Sequence, residues 1–268
     1  MSDVADRWSF ATQWEQWHRE HEIRRSRPLG FLAITGLHWL TDNPQRFDDV
    51  PGSWTIDDRG VRVQLGEGEE LLIGGDRVIA DHHFVDVDER GILARFDGAI
   101  VEICHRDGQF MIRPRHPDHV VRINYAGTPT YPPSFDWVAT AAFVPYDLPR
   151  AITVGATVEG LTHVIESPGE VQFSLAGHEL RLIAFNGDGP DELDFVFTDL
   201  TAGSTTYAAC RFLTVDAPGP DGRVTMDFNR ATNPPCAYTD FATCPLPPAQ
   251  NHLDVPVEAG EKLPTPSP

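Results

Sequence analysis

Apolar side chains recur along this chain with two periods, and the first is confined to the N-terminus. Phe10, Trp14, Trp17 and His21 stand three or four positions apart. That spacing aligns them on one face of a helix over residues 4–25 and predicts a stripe that packs against something. Arg24, Arg25 and Arg27 follow where cations favour the negative end of the helix dipole, and Pro28 with Gly30 closes the segment.

Beyond Phe31 the period falls to two. Short apolar–polar runs at residues 31–35, 36–40, 61–65, 71–73, 77–80, 84–87, 92–96 and 100–104 are punctuated by Asp58-Arg59-Gly60, Gly74-Gly75-Asp76, Glu89-Arg90-Gly91, Asp97-Gly98 and Asp107-Gly108. Strands at this spacing predict an antiparallel sandwich. Residues 113–118, with two prolines, read as a loop that ends this part. Strands resume at residues 137–143, 151–154, 161–165, 171–175, 179–185, 194–198, 206–215 and 224–230, with Ala176-Gly177-His178 as a hairpin turn. Consecutive strands joined by short turns are how closed or half-closed barrels are built, and a small barrel can enclose one ligand. The chain is therefore expected to be mostly β. An N-terminal helix (1–30) precedes a β-sandwich (31–118), then an antiparallel β-barrel-like half (119–262) and a proline-rich tail (263–268) expected to be disordered.

The last strand carries the candidate chemistry. Val224, Met226 and Phe228 alternate with Thr225, Asp227 and Asn229, and the register puts Arg230 on the apolar side. Arg211 lies in a run that is apolar on both faces. A buried guanidinium needs a carboxylate or a ligand anion, because an unpaired buried charge is very costly. Asp227, Asn229, Glu258 and Glu261 are the nearest partners in sequence. Two readings follow: an internal salt-bridge network, or arginines that hold a substrate carboxylate or phosphate. After Arg230, five prolines lie between Asn233 and Pro248, beside Cys236 and Cys244. This is read as an ordered loop across one end of the barrel.

With 268 residues the chain can bury a real core as one large or two smaller domains. A formal net charge of −19 argues against nucleic acid and anionic membrane as partners. No apolar run suits a signal peptide or a membrane span, so a cytoplasmic protein with reduced thiols is expected. Cys236 and Cys244 stand eight apart with no second pair, which does not suit a zinc site; each reads as a small buried hydrophobe unless a base or cation activates it. His82 and His83, adjacent on a strand, point to opposite faces and cannot easily share an ion. No nucleotide, hydrolase or metalloprotease motif is present, so no cofactor and no metal are expected. Arg113, Arg115, His116 and His119 form a basic rim that faces either an anion or local carboxylates.

The C-terminal run Val224-Thr-Met-Asp-Phe-Asn-Arg-Ala-Thr-Asn-Pro-Pro-Cys-Ala-Tyr-Thr-Asp-Phe-Ala-Thr-Cys-Pro-Leu-Pro-Pro-Ala-Gln-Asn251, with Thr206-Tyr207, Arg211-Phe212-Leu213 and Glu258-Ala-Gly-Glu-Lys262, resembles an uncharacterised bacterial family, domain of unknown function number sixteen eighty-four. The resemblance is specific in that motif and looser back to residues 30–40. Its motif positions map onto Arg211, Asp227, Asn229, Arg230, Asn233, Cys236, Cys244 and Asn251. It implies a forkhead-associated-like sandwich in the N-terminal half and no assigned reaction. The chain lacks the Gly-Arg and Ser-x-x-His pattern of a phosphothreonine reader.

The resulting expectation is a protein that binds a small polar or anionic molecule in the C-terminal barrel. Arg211, Asn229, Asn233, Cys236, Tyr238 and Asn251 would line the site. Were it an enzyme, which the sequence leaves open, Arg230 would stabilise charge and Asp227 or Glu258 would act as general base. The alternative is an interaction module whose N-terminal sandwich binds a protein partner. A homo-oligomer is compatible with either.

Overall fold

The structure is a computed structural model that describes the backbone of residues 2–265 and the side chains of residues 9–265. The chain forms two compact units. One comprises Arg24–Tyr125 with Thr239–Ala242; the other comprises the chain up to Ile23, Ala126–Tyr238 and the segment from Thr243 onward. Helix α1 (Ser2–Arg25) opens the chain. Among the described residues no helix is long and apolar enough to cross a membrane.

The first unit is a sandwich of ten strands: β1 (His38–Trp39), β2 (Gln45–Phe47), β3 (Val50–Asp57), β4 (Gly60–Gln64), β5 (Leu71–Ile73), β6 (Asp76–Val78), β7 (Asp81–Phe84), β8 (Ile92–Phe96), β9 (Ala99–Arg106) and β10 (Gln109–Arg115). One sheet runs β2-β3-β4-β7 and the other β1-β10-β9-β8-β5-β6. Their inner faces meet in one core, with Trp54, Val61, Val63 and Phe84 from the first and Leu71, Ala94, Val101, Ile103 and Ile112 from the second. The hairpins expected at Asp97-Gly98 and Asp107-Gly108 are present, each with both turn residues at positive φ, as tight β-turns between twisted strands require. Residues 31–35 are not a strand; Phe31–Ala33 forms a 3-10 turn. A short helix, α2 (Val120–Ile123), follows β10.

Residues 113–115, expected in a loop, continue β10. The charges there face a partner across the ladder: Arg113 is registered opposite Glu102. Arg113 Nε and Nη2 reach the Glu102 carboxylate at 3.0 and 2.9 Å, and Arg115 Nη2 binds the same group. His116 Nε2 contacts the Asp49 carbonyl at 2.7 Å and His119 Nδ1 the Leu32 carbonyl at 3.1 Å. The basic rim is thus engaged with its own unit. Burial alone would raise the Glu102 pKa, but the two guanidinia outweigh it and hold it below its ordinary 4.5. A carboxylate with a depressed folded pKa contributes stability that is fully present above the unfolded value and is lost as pH falls through the folded one. The urea midpoint of wild type should therefore exceed that of Glu102→Gln at pH 7, and the gap should shrink steadily below pH about 4.5. A gap that is constant from pH 7 to 3 refutes this.

The second unit holds α1 and the strands β11 (Val138–Gly155), β12 (Thr162–Leu175), β13 (His178–Asn186), β14 (Glu192–Asp199), β15 (Arg211–Asp216), β16 (Arg223–Asp227) and β17 (His252–Leu253). The order β15-β14-β13-β12-β11-β16 is antiparallel throughout, and β17 adds to β14 in parallel. An isolated bridge from Phe212 to Thr232 draws the chain after β16 back beside β15, so the sheet is nearly closed and barrel-like. Inward side chains, among them Val171, Phe173, Leu182, Phe195, Phe197, Leu213, Met226 and Phe228, pack on one another. These side chains form the hydrocarbon core of the unit. Leu263 N–H still donates to the Thr205 carbonyl at 2.9 Å, and residues 266–268 of the tail lie outside the described residues.

Candidate functional site

Strand β16 ends at Asp227 because that side chain turns the backbone. Its Oδ1 accepts from the Asn229 N–H at 3.1 Å and from Asn229 Nδ2 at 2.8 Å, capping a 3-10 turn over Phe228–Arg230. The expected strand to Arg230 therefore stops three residues early. Phe228 stays in the core, but Arg230 leaves the apolar face, and its side chain is 40% exposed. Asn229 is buried and works as a backbone mimic: its Oδ1 accepts from Ser134 N–H and its Nδ2 donates to Ser134 C=O, both at 2.9 Å.

Arg211 and Arg230 do not share an interior. Arg211 is fully buried against Asp199, with Nη2 at 2.6 Å from Asp199 Oδ2 and 3.0 Å from the Val257 carbonyl, while Nη1 donates to Ala259. Asp199 Oδ1 accepts from Thr201 N–H at 2.9 Å, Thr201 Oγ1 at 2.7 Å and Val257 N–H at 3.1 Å. Arg211 is therefore a clamp between β15, the end of β14 and the last segment. Sequence reasoning missed Asp199, whose only local sign is the Asp-x-Thr spacing of a side-chain-capped turn. Glu258 alternates with buried Val257 and Ala259 and is exposed. Asn251 is fully enclosed. Its Oδ1 accepts from Ile183 N–H at 2.7 Å, and its Nδ2 donates to Ile183 C=O at 3.0 Å and Val196 C=O at 2.9 Å. That set bridges β13 and β14 and leaves no group for a ligand.

What does come together is the motif with helix α1. Trp14 Nε1 donates to the Asn229 carbonyl at 2.8 Å, fixing the helix on the 3-10 turn. The Arg230 guanidinium lies 5.6 Å from the Trp17 ring centroid, within cation–π range. His18 stacks on Trp14 at 4.9 Å and His21 on Trp17 at 5.3 Å. His21 Nε2 is 3.5 Å from Oε1 of Glu261, a buried carboxylate whose Oε2 accepts from Asn233 N–H at 2.6 Å and Tyr238 Oη at 3.5 Å. Tyr238 Oη also contacts Thr128 Oγ1 at 2.7 Å, and Asn233 Nδ2 donates to the Lys262 carbonyl at 2.7 Å. The aromatic stripe read as packing is thus also one wall of a polar cluster. Its chemical sign in the sequence was His18 and His21 set among the tryptophans.

Within this cluster His18 Nδ1, Asn233 Oδ1 and Arg230 Nε are buried polar atoms that make no hydrogen bond. Arg230 Nε lies 3.2 Å from Asp227 Oδ2, close enough for ion pairing but off the line of a hydrogen bond. Buried polar groups are nearly always satisfied, and each orphan calls for an explanation such as a bound molecule. The cluster offers a half-exposed cationic fork, two imidazoles, a phenol and an amide oxygen, a set that can bind polar or anionic groups and shuttle a proton through histidine. Asp227 is committed to its cap and its ion pair.

Cys236 and Cys244 lie beside this cluster along the loop. The Cys236 N–H points at Cys244 Sγ at 3.2 Å, Tyr207 Oη donates to the Cys236 carbonyl at 3.0 Å, and both cysteines are free thiols. Among the described residues no group of three or more His, Cys, Asp or Glu side chains is placed to hold a metal ion. His83 instead pairs with Asp57 at 2.8 Å, and His82 packs edge-on to Phe84. A separate depression lined by Thr140, Gln172, Ser174, Glu179, Asp221 and Arg223 contains no residue of the motif.

No curated protein matches the chain. Among solved structures it is similar to the solution NMR structure of the uncharacterized protein from gene locus rrnAC0354 of Haloarcula marismortui, with 31% identity over 53% of this chain and 78% of that one and a TM-score of 0.45. The family model described as "Protein of unknown function (DUF1684)" matches residues 123–262, which takes in the barrel, the 3-10 turn, the proline loop and Glu261. That match spans more than half of the sequence, and the chain belongs to the DUF1684 family.

Proposed function

We propose that this protein binds a small polar or anionic molecule where α1 lies on the turn Phe228–Arg230, with Arg230 as the principal anion contact. The observation that carries this is a half-exposed guanidinium over Trp17 in the helix–motif cluster that also holds the unbonded, buried His18 Nδ1 and Asn233 Oδ1. Relative to the sequence expectation, the site moves from the barrel interior to the helix-covered face of the motif. Tyr238 and Asn233 keep their assigned roles as lining, and Arg211, Asn229 and Asn251 become scaffold. Asp227, the carboxylate beside Arg230, is held by its cap and its ion pair, and the reading is therefore one of binding. The interaction-module reading has less behind it, since Arg113 and Arg115 are both engaged by Glu102.

A thermal-shift panel of small carboxylates and phosphates tests the reading. A ligand present at 100 times its dissociation constant stabilises by about 2.7 kcal/mol, which for a unit of this size raises Tm by several degrees. Arg230→Lys should fold with a near-native Tm and lose that shift, because lysine cannot reproduce a planar two-donor fork. An undiminished shift in the variant, or no shift across the panel in wild type, would sink the proposal.

A further inference from the structure

The proline loop holds a pair of thiols that the binding site does not use. We infer that Cys236 and Cys244 are a reversible dithiol–disulfide pair, oxidised by a hydroperoxide, with Cys236 the attacking sulfur and Cys244 the resolving one. Geometry carries the inference. The Cys236 N–H is 3.2 Å from Cys244 Sγ, and Tyr207 Oη donates to the carbonyl of the same residue at 3.0 Å, which fixes the backbone of Cys236 against the Cys244 sulfur. With the Cys244 sulfur already against the Cys236 backbone, rotation of the Cys236 side chain can carry its own sulfur toward the S–S bonding distance of about 2.05 Å. Cys236 lies in the 3-10 turn Pro235–Ala237, and the chain from that turn to Cys244 is short and irregular.

The two thiols are also unequal in the way such a pair needs. Cys236 is partly exposed, whereas Cys244 is buried. The hydrogen bond from Cys244, with help from Tyr207 and Thr157, lowers the Cys236 pKa against the opposing effect of burial. The same contact and burial push Cys244 up, so the proton rests on Cys244 when Cys236 ionises. The two remaining thiols are inert by contrast. Burial pushes Cys210 up, and it drives Cys104 to about 11. Thiolate character together with access selects Cys236 for oxidation.

The chemistry balances as two steps. The Cys236 thiolate attacks the hydroperoxide O–O bond, forming a sulfenic acid and releasing water or an alcohol once the leaving oxygen takes a proton. Cys244 then attacks the sulfenic sulfur and gives up its own proton; the S–S bond forms and hydroxide leaves as water. The two sulfurs together lose two electrons and the peroxide gains them. Reduction by an external dithiol reverses the outcome.

The test uses the reduced full-length protein treated with stoichiometric hydrogen peroxide, then alkylated under denaturing conditions and analysed by intact mass and peptide mapping. Two of the four thiols should become protected, with peptides containing Cys236 and Cys244 cross-linked, and dithiothreitol should restore all four. In Cys244→Ser the oxidation should stop at a dimedone-reactive sulfenic acid on Cys236; in Cys236→Ser no thiol should be lost. Four free thiols after peroxide, a cross-link that includes Cys210 or Cys104, or identical over-oxidation of wild type and Cys244→Ser would each overturn the inference. None of these readouts depends on ligand binding at Arg230.

Discussion

Asp199→Ala should destabilise the barrel unit by about 3–5 kcal/mol, the cost typical of leaving one member of a buried ion pair without its partner. The side chains of Asp199 and Arg211 are each about 1% exposed, so water cannot replace the lost carboxylate. The loss goes beyond the ion pair, because Asp199 also accepts from Thr201 N–H, Thr201 Oγ1 and Val257 N–H. Removing the carboxylate leaves a buried cation and two buried N–H groups unsatisfied at once. Arg211→Met should cost less, since methionine fills much of the volume and the anion left behind keeps three donors. Replacing both residues by apolar ones should not recover wild-type stability, as it can at an isolated pair. The carbonyls of Val257 and Ala259 would still lack donors. Urea unfolding followed by tryptophan fluorescence and circular dichroism measures all three variants. A cost below about 1 kcal/mol for Asp199→Ala would show that the pair does not hold the last segment to the barrel.

The sheets were legible wherever local chemistry decides the chain. Period two marked most strands, and Ala176-Gly177, both at positive φ, made the turn between β12 and β13 readable. What escaped was continuity. Pro145, Pro149, Pro168 and Gly169 look like breaks, yet β11 and β12 run through them as one long hairpin. The register shifts between Pro145 and Arg150, which takes up the prolines as a bulge. At Gly169 a Cβ would meet the Val144 carbonyl at 2.5 Å, so the glycine is there for close approach of two strands. Strand β3 was hidden in the same way by Pro51 and Gly52.

The candidate site was legible in composition but not in geometry. The motif residues were identified, and the failure came from extending the strand register through Asp227, where a side chain to backbone bond ends it. That single turn sends Arg230 to the surface and exchanges its expected barrel neighbours for Trp17. Partners distant in sequence could not be read either. Arg211 finds Asp199 twelve residues upstream, and His21 finds Glu261 at the other end of the chain. An amphipathic stripe shows that a helix packs; only three-dimensional structure shows that what it packs on is a carboxylate and an arginine.

Asn251→Asp should make stability strongly pH-dependent, and the sign follows from the hydrogen bonds. The native carboxamide receives one N–H, from Ile183, and gives two, to the carbonyls of Ile183 and Val196. An aspartate there is nearly isosteric, so packing is unchanged, but its ionised form faces two carbonyl oxygens with no donor in a site of 0% exposure. Burial and those dipoles disfavour the charged form, which raises the folded pKa above the unfolded value of about 3.9. A group whose folded pKa is raised leaves the folded state binding more protons, so stability relative to wild type falls as pH rises from 4. At pH 4 the protonated acid can still donate to one carbonyl, and the deficit should be about 1–3 kcal/mol, the cost of one unsatisfied buried group. By pH 7 it should grow by about 1.4 kcal/mol for each unit by which the folded pKa exceeds the unfolded one, until the variant unfolds or water enters. Chemical denaturation of both proteins between pH 4 and 8 reads this directly. A deficit that stays flat, or that shrinks toward neutral pH, would mean that Asn251 does not hold β13 and β14 together through those two carbonyls.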